Sequence, residues 1–150
     1  MDLEDWRRRW QENKIGFHEP KPNELLVAHL ALLRDKPRVL VPLAGKSLDM
    51  MALAAAGHDV VGVELAEPAC RAFFEENRID CTRIGGDRFR GAHVEMVCSD
   101  FFDVTHERLV TFDAAWDRAA FIAIEPHDRG RYVDRLRDLL RPRARVLLAT

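Results

Sequence analysis

One stretch of the chain predicts a β-strand, a turn, a helix and a second β-strand that ends on an acidic side chain. An apolar run beginning at Val39 enters a turn that contains Gly45, and a second apolar run, residues 60–63, ends at Glu64. In such a βαβ unit the turn lies at a helix N-terminus, where backbone N–H groups can face a ligand. The acid can bind both hydroxyls of a ribose. The pattern therefore predicts an α/β fold with a nucleotide-type site.

The turn excludes two better-known nucleotide sites. A dinucleotide fingerprint, G-x-G-x-x-G, needs three glycines, and only Gly45 is present here. A P-loop ending at Gly45-Lys46-Ser47 needs a glycine five residues before Gly45, where Leu40 lies inside the apolar run. The pattern fits a ligand that has a ribose but no pyrophosphate, such as S-adenosylmethionine.

Composition narrows the class of protein further. The chain has 150 residues, of which 47% are hydrophobic and 32% charged, which predicts a single globular domain over residues 1–150. The formal net charge of −2 gives no electrostatic reason to expect nucleic acid or a membrane surface as a partner. The acidic start, residues 1–5, lacks the apolar segment of a secretion signal. Three cysteines without C-x-x-C spacing indicate reduced thiols, no metal site and a cytoplasmic location.

Strands and helices are predicted to alternate along the whole chain. This alternation indicates a doubly wound, mostly parallel sheet, for which we expect the strand order 3-2-1-4-5. The polar segment 82–92 is predicted to be a loop or a small hairpin turning near Gly91. The predicted strands are about 38–41, 59–63, 94–98, 112–116 and 146–149. The predicted helices are an N-terminal one ended by Gly16, one from the cap Asn23 to about Arg34, one over about 47–56 stopped by Gly57, one opened by Pro68, and one over about 125–140 broken by Pro142.

Polar side chains follow three of the predicted strands at the point where each strand ends. They are Glu64, Asp100 and the pair Asp117-Arg118. In open α/β sheets a ligand binds at the carboxyl ends of the strands. We therefore expect these side chains to converge on one crevice.

Four motifs, in order along the chain, resemble the thiopurine S-methyltransferase family of class I S-adenosylmethionine-dependent methyltransferases. They are Trp6-x-x-x-Trp10 with Gly16-Phe17-His18, the turn Pro42-Leu43-Ala44-Gly45-Lys46-Ser47-Leu48-Asp49-Met50, the segment from Gly57 to Leu65, and Asp117-Arg118-Ala119-Ala120. Ala44 departs from the family, which usually has cysteine there. Family members also continue for several tens of residues past the strand at Val146, so we expect a C-terminal part, with the last strands of the sheet, to be missing.

The resemblance implies a role for each candidate site residue. Those implied to contact S-adenosylmethionine are Trp10, Leu43, Gly45, Glu64 at the ribose hydroxyls, Asp100 at the adenine amino group, the Phe101 backbone at the adenine ring, and Arg118. Arg118 is also the candidate catalytic residue, and Trp6 and Phe17 are implied to bind the substrate.

Each assignment has a structural alternative. Trp10 could be a core residue, Glu64 a solvated strand end, and Asp100 a cap for the segment that follows it. Arg118 could be only an ion-pair partner of Asp117. Asp49 is interpreted as an acid in the first turn of a helix rather than as a ligand contact. At its strand end, Glu64 is expected to be replaceable by alanine without loss of the fold.

The implied reaction is methyl transfer to a small-molecule thiol or thiolate on an aromatic or heterocyclic ring. Because such a thiol is already acidic, the rate should come mainly from alignment rather than from a general base. Two alternatives stay open: methyl transfer to selenium or tellurium oxyanions, and a fragment with weak or no cofactor binding. A complete family member is expected to be a monomer, whereas a shortened chain exposes its fifth strand as an edge and is expected to self-associate.

Overall fold

Seven β-strands form one sheet in the computed structural model, which describes residues 2–150. The strands are β1 (Arg38–Pro42), β2 (Asp59–Glu64), β3 (Thr82–Gly85), β4 (Arg88–Gly91), β5 (Val94–Cys98), β6 (Phe112–Arg118) and β7 (Leu140–Ala149). Their order in the sheet is β3-β4-β5-β2-β1-β6-β7. Pairing is parallel from β5 to β7 and antiparallel for β3 and β4. The α/β class and the mostly parallel sheet are therefore confirmed.

The predicted order 3-2-1-4-5 is wrong for the sheet as a whole. The five predicted strands keep their expected neighbours as β5-β2-β1-β6-β7, but an antiparallel hairpin, β3 and β4, adds two strands beside β5. The β3–β4 hairpin turns between Gly85 and Arg88, and a second hairpin, β4–β5, turns directly after Gly91, close to the predicted position. Gly91 pairs with Val94 across this second turn, where Ala92 and His93 have left-handed φ angles of 51° and 64°. A Cβ on Gly91 would lie 2.5 Å from the Asp80 carbonyl oxygen, so the glycine also allows a close backbone approach.

Within residues 2–150, six α-helices connect or flank the strands, and several of their boundaries differ from the predicted ones. The helices are α1 (Leu3–Gln11), α2 (Glu24–His29), α3 (Asp49–Ala55), α4 (Glu67–Glu76), α5 (Ala120–Ala123) and α6 (Arg129–Leu139). Helix α1 ends before Gly16, and Asn13 soon after it has a left-handed φ of 56°. The Asn23 cap is confirmed, since its side chain accepts from the Leu25 and Leu26 N–H groups.

The last strand begins directly after the last helix and includes the segment that was predicted to separate them. Helix α6 ends at Leu139, and Leu140 already has the extended backbone of β7. Pro142 lies inside β7 rather than in a break. Proline lacks the N–H that a central strand needs, and it is tolerated here because β7 is the edge strand of the described sheet.

Two hydrophobic clusters pack against the two faces of the sheet. The first contains α3 and α4 residues such as Leu53 and Phe73, and the second contains α6 residues such as Tyr132 and Leu139. No helix within residues 2–150 combines the length and the apolar character needed to cross a membrane. Helices thus cover both faces of the sheet, and the carboxyl ends of the parallel strands β1, β2 and β6 lie along one rim.

A buried polar contact fixes the end of β6. Asp117 is 1% exposed and accepts from the Tyr132 hydroxyl at 2.5 Å and from the backbone N–H groups of Ala120 and Phe121 at 3.0 and 3.1 Å. Burial and the neighbouring carboxylate both raise the pKa of the Tyr132 hydroxyl, so it stays a hydrogen-bond donor. Asp117 therefore connects the end of β6 to the start of α5 and to Tyr132 in α6.

Tyr132→Phe should remove the only side-chain donor to Asp117 found in residues 2–150. We expect the free energy of unfolding, measured by urea titration, to fall by about 1.5–3 kcal/mol, the usual range for a hydrogen bond to a charged group. Asp134→Asn, an exposed position on the same helix, serves as the control and should change it by less than about 0.5 kcal/mol. An unchanged urea midpoint for Tyr132→Phe would show that this bond does not stabilise the fold.

Candidate functional site

Two adjoining cavities lie at the carboxyl ends of the strands, and both are bordered by Trp6 and Leu43. The smaller has a volume of about 50 Å³ and the larger about 240 Å³. Residues lining the smaller cavity include Glu64, Leu65, Ser99, Asp100, Phe101 and Ile124. Residues lining the larger include Trp10, Phe17, His18, Gly45, Lys46 and Arg118. The crevice predicted from the strand ends is present, and all the candidate site residues border it.

Glu64 borders the smaller cavity, and its carboxylate is almost completely buried. It is 1% exposed, with Oε1 accepting from the Gly45 N–H at 2.9 Å and Oε2 from the Ala66 N–H at 2.7 Å and the Trp6 indole N–H at 2.9 Å. Burial raises the pKa of this carboxyl above its usual value, and the hydrogen bonds from Ala66, Trp6 and Gly45 oppose the rise. Glu64 therefore differs from the solvated strand end that was its structural alternative.

These contacts change the interpretation of two residues. The Gly45 N–H, expected to face a ligand, donates to Glu64, so the turn shapes the site through that carboxylate. Removing the Glu64 side chain would leave the Gly45 and Ala66 N–H groups without this acceptor. An alanine at position 64 therefore costs stability, which the expectation of a fully retained fold did not include.

Trp10 borders the larger cavity and combines features of a core residue and a ligand contact. Its side chain is only 7% exposed, and a Cβ on Gly45 would lie 3.0 Å from its ring. Its indole N–H is buried and finds no hydrogen-bond partner in the part of the chain that the structure describes. Buried N–H groups without partners are uncommon, and one beside a cavity indicates a place for an acceptor atom of a ligand.

An aromatic wall forms the opening of the larger cavity. The Phe17 ring stacks on the Trp6 ring with centroids 4.8 Å apart, and it meets the Trp10 ring edge-on at 5.5 Å. Phe17 is 37% exposed, so one side of this stack is open to solvent. A flat apolar molecule fits such a surface.

The strand end of β5 contributes Asp100 and Phe101 to the smaller cavity. Asp100 Oδ1 accepts from the Phe102 N–H at 3.0 Å, which is the capping role given as its alternative. The Phe101 ring is buried and lies 5.3 Å from the Tyr132 ring. Both residues border the site, and one Asp100 oxygen is already engaged by the backbone.

Arg118 does not pair with Asp117. Its Nη1 lies 3.0 Å from Glu19 Oε1, and its Nε lies 3.7 Å from Asp49 Oδ2. Asp49 is 2% exposed, and it also accepts from the Trp116 indole N–H. The first-turn position of Asp49 in α3 was predicted, but its contacts were not.

Three more features of the site were missed by sequence reasoning. Leu43 and Ala119 have left-handed φ angles of 48° and 66°, unusual for residues with a Cβ, and both border the larger cavity. Glu19 was assigned no role, although it contacts Arg118. Left-handed alanine or leucine and an ion pair spanning 99 residues leave no local pattern in the sequence.

The polar side chains facing the larger cavity are mainly basic. Lys46 is bound by Glu76, with Nζ 2.7 Å from a carboxylate oxygen. Burial lowers the pKa of His18, and the positive charges of Lys46 and Arg118 lower it further. The lowered pKa favours the neutral imidazole of His18, so Lys46 and Arg118, each paired with a carboxylate, are the cations that border this cavity.

Known proteins resemble the chain over its entire length. The model of the thiopurine S-methyltransferase (TPMT) family matches residues 1–150. A thiopurine S-methyltransferase of Pseudomonas fluorescens (strain SBW25) is 43% identical over 155 residues, which cover 100% of this chain and 71% of that relative. The thiopurine S-methyltransferase of Canis lupus familiaris is 37% identical over 160 residues, covering 99% of this chain and 65% of that relative.

Solved structures share the fold at lower identity. The 1,6-didemethyltoxoflavin-N1-methyltransferase of Burkholderia thailandensis, with bound 1,6-didemethyltoxoflavin and S-adenosylhomocysteine, has a TM-score of 0.70 and 22% identity, covering 93% of this chain and 56% of that chain. The glycopeptide N-methyltransferase MtfA has a TM-score of 0.63 and 18% identity, covering 87% and 55% of the two chains. At these identities the likeness shows the α/β methyltransferase fold. With the family match over residues 1–150, it follows that the chain belongs to the thiopurine S-methyltransferase family.

Proposed function

We propose that this chain transfers the methyl group of S-adenosylmethionine to the sulfur of an aromatic or heterocyclic thiol such as a thiopurine. The observation that carries the proposal is the pair of adjoining cavities, one bordered by the buried Glu64 carboxylate and the other by the Trp10 indole N–H, which has no partner in residues 2–150. Family membership supports the reaction class, and the arrangement of the residues supports the division of the site into a cofactor part and an acceptor part.

The smaller cavity and its borders fit the nucleoside part of S-adenosylmethionine. Glu64 is the ribose anchor in this proposal, and the Trp6 N–H now on Oε2 occupies one of the acceptor positions that two hydroxyls would need. Leu43 and Phe101 supply apolar surface for the adenine ring, and Asp100 lies at the same rim. The backbone N–H groups of Gly45 and Ala66 fix the carboxylate, so the rearrangement that ribose binding requires there is loss of the Trp6 hydrogen bond to Oε2.

The methionine part fits at the boundary with the larger cavity. The Trp10 N–H can donate to its carboxylate, and the indole face can attract the positive sulfonium. Arg118 is near enough to the same cavity to act on the carboxylate or on the acceptor. When bound, S-adenosylmethionine supplies an electrophilic methyl group on a good leaving group.

The acceptor side needs orientation more than acid–base chemistry. The stacked rings of Trp6 and Phe17 give a flat surface for an aromatic ring, and the positive charge of Arg118 favours the thiolate over the thiol. Holding the sulfur in line with the methyl group then accounts for most of the rate enhancement, since proximity and orientation can lower a barrier by several kcal/mol. This aromatic wall favours a ring-bearing thiol over the small oxyanions of selenium or tellurium.

A binding and turnover experiment tests the proposal. S-adenosylhomocysteine is titrated into the chain by calorimetry, and methylation of 6-mercaptopurine and of selenite is followed by mass spectrometry in parallel. We expect binding and S-methylation of 6-mercaptopurine. Methylation of selenite alone would assign the site to oxyanions. Absence of S-adenosylhomocysteine binding, together with no methylation of either acceptor, would contradict the proposal.

Glu64→Gln should weaken S-adenosylhomocysteine binding. The amide keeps the shape of the side chain but removes one acceptor and the charge, so we expect a loss of about 1.5–3 kcal/mol, or roughly ten- to hundredfold in affinity. Calorimetry well below the melting temperature separates this from the stability loss that we also expect. Glu67→Gln, an exposed acid paired with Arg71 at the start of α4, is the control and should leave the affinity unchanged. Equal affinities for Glu64→Gln and wild type would rule out the ribose assignment.

The two indoles Trp10 and Trp116 allow a matched comparison. Trp116 is 3% exposed and donates to Asp49 at 2.8 Å, whereas the Trp10 N–H has no partner in residues 2–150. Because each change to phenylalanine removes similar volume, Trp116→Phe should lower the free energy of unfolding more, by about 1–3 kcal/mol.

The effect on binding should be the reverse. Trp10→Phe removes a donor to the ligand, so we expect S-adenosylhomocysteine to bind about three- to tenfold more weakly, while Trp116→Phe changes its affinity little. Urea titration and calorimetry on the same samples measure both quantities. A Trp10→Phe chain that binds normally would place Trp10 in the core alone.

A further inference from the structure

Asp49 collects contacts from three separate segments of the chain. Its Oδ1 accepts from the Asn23 N–H at 2.7 Å, and its Oδ2 accepts from the Trp116 indole N–H at 2.8 Å. The same Oδ2 lies 3.7 Å from Arg118 Nε. With its side chain 3% exposed, this carboxylate depends on these partners, because a buried charge without them is strongly unfavourable.

The position of Arg118 follows from this arrangement. Trp116 and Arg118 are two residues apart on β6, so their side chains leave the same face of the strand and reach the same carboxylate. Arg118 Nη1 also donates to Glu19 Oε1 at 3.0 Å, but the Glu19 side chain is 43% exposed. The buried Asp49 charge acts in a lower dielectric than Glu19 and is less screened by salt.

Through Asn23, Asp49 is also connected to the segment that carries Phe17 of the aromatic wall. Asn23 caps α2, and it follows the segment that carries Phe17 and Glu19. The hydrogen bond from its N–H to Asp49 therefore fixes where that segment meets α3. One carboxylate thus holds both the cation and the start of the aromatic wall.

We propose that Asp49 is a positioning residue for methyl transfer: it holds the Arg118 guanidinium at the wall of the larger cavity and docks the segment that carries Phe17. The proposal rests on the proposed function, since it assumes that Arg118 faces an anionic acceptor there. Asp49 itself does not border either cavity, so it acts through Arg118 and not on the substrate. Loss of its charge should affect the use of the acceptor far more than the binding of the cofactor.

A double-mutant cycle separates this role from a purely structural one. Asp49→Asn, Arg118→Met and the double variant are assayed with 2-nitro-5-thiobenzoate, an aromatic thiolate whose absorbance is lost on methylation. Binding of S-adenosylhomocysteine is measured by calorimetry on the same proteins. Residues that act as one unit give non-additive effects, whereas independent ones add.

We expect Asp49→Asn to lower kcat/KM by about tenfold or more, with the affinity for S-adenosylhomocysteine changed less than about threefold. In the Arg118→Met background the same change should alter kcat/KM less than about threefold. Equal effects of Asp49→Asn in both backgrounds would overturn the proposal. Asp134→Asn, an exposed acid on α6 that contacts none of these residues, is the control and should leave kcat/KM unchanged.

Asp49→Glu replaces Asp49→Asn in the cycle if the asparagine variant does not fold, as judged by circular dichroism. The longer side chain displaces the carboxylate, and its effect on kcat/KM must again disappear in the Arg118→Met background. Failure of both variants to fold would assign Asp49 to stability and overturn the proposal. A wild-type chain that transfers no methyl group would overturn the proposed function as well, whereas additive effects in an active enzyme overturn the role of Asp49 alone.

Discussion

The buried Glu64 carboxylate is the constraint on which the rest of the site depends. A carboxylate removed from water must be surrounded by donors, and here the donors come from the turn after β1, the start of α4 and the N-terminal helix. Satisfying this single group therefore brings two distant parts of the chain, those carrying Trp6 and Gly45, to the end of β2. The smaller cavity borders this carboxylate, and the larger one is lined by Trp6 and Gly45, two of its donors.

The ends of the neighbouring strands are held in shape by less common backbone conformations. Leu43 and Ala119 are left-handed, and each directly follows the strand that leads into the site. Such conformations cost of order 1–3 kcal/mol for residues with a Cβ and persist only where the surroundings enforce them. At Ala119 the enforcement is visible, since Asp117 receives the backbone N–H groups of Ala120 and Phe121 immediately afterwards. The end of β6 is thus held in shape by contacts within the protein itself.

The sequence predicted the parts of the fold that repeat a local pattern. The apolar strands with polar ends, the Asn23 cap and the turn at Gly45 could be read directly because each depends on neighbouring residues. The antiparallel pair β3 and β4 was missed as part of the sheet because its residues are polar and, for β3, exposed. The first residues of β7 were not predicted to be strand because Pro142 near its start was interpreted as a helix break.

The sequence indicated which candidate residues lie together at the strand ends, but not which partners they contact. Glu64, Asp100 and Arg118 follow strands, and the geometry of a parallel sheet brings strand ends together. The partner of each, however, comes from across the chain: Trp6 for Glu64, at a separation of 58 residues, and Glu19 for Arg118. No spacing rule relates such pairs, so a residue such as Asp49 resembles an ordinary helix acid until the contacts are seen.

The Trp6–Glu64 hydrogen bond makes the N-terminal helix a competitor for the proposed ribose position. If a ribose hydroxyl binds Oε2, the Trp6 N–H must give up its hydrogen bond to that oxygen, so formation of this bond and ligand binding are linked equilibria. By reciprocity, the Trp6–Glu64 bond lowers the affinity for the ligand by the same factor by which the bound ligand lowers the equilibrium constant for forming that bond. The apparent affinity is then the intrinsic one scaled by the fraction of molecules in which the carboxylate is free. Sequence changes in α1 that touch no ligand can therefore tune how tightly this protein holds one.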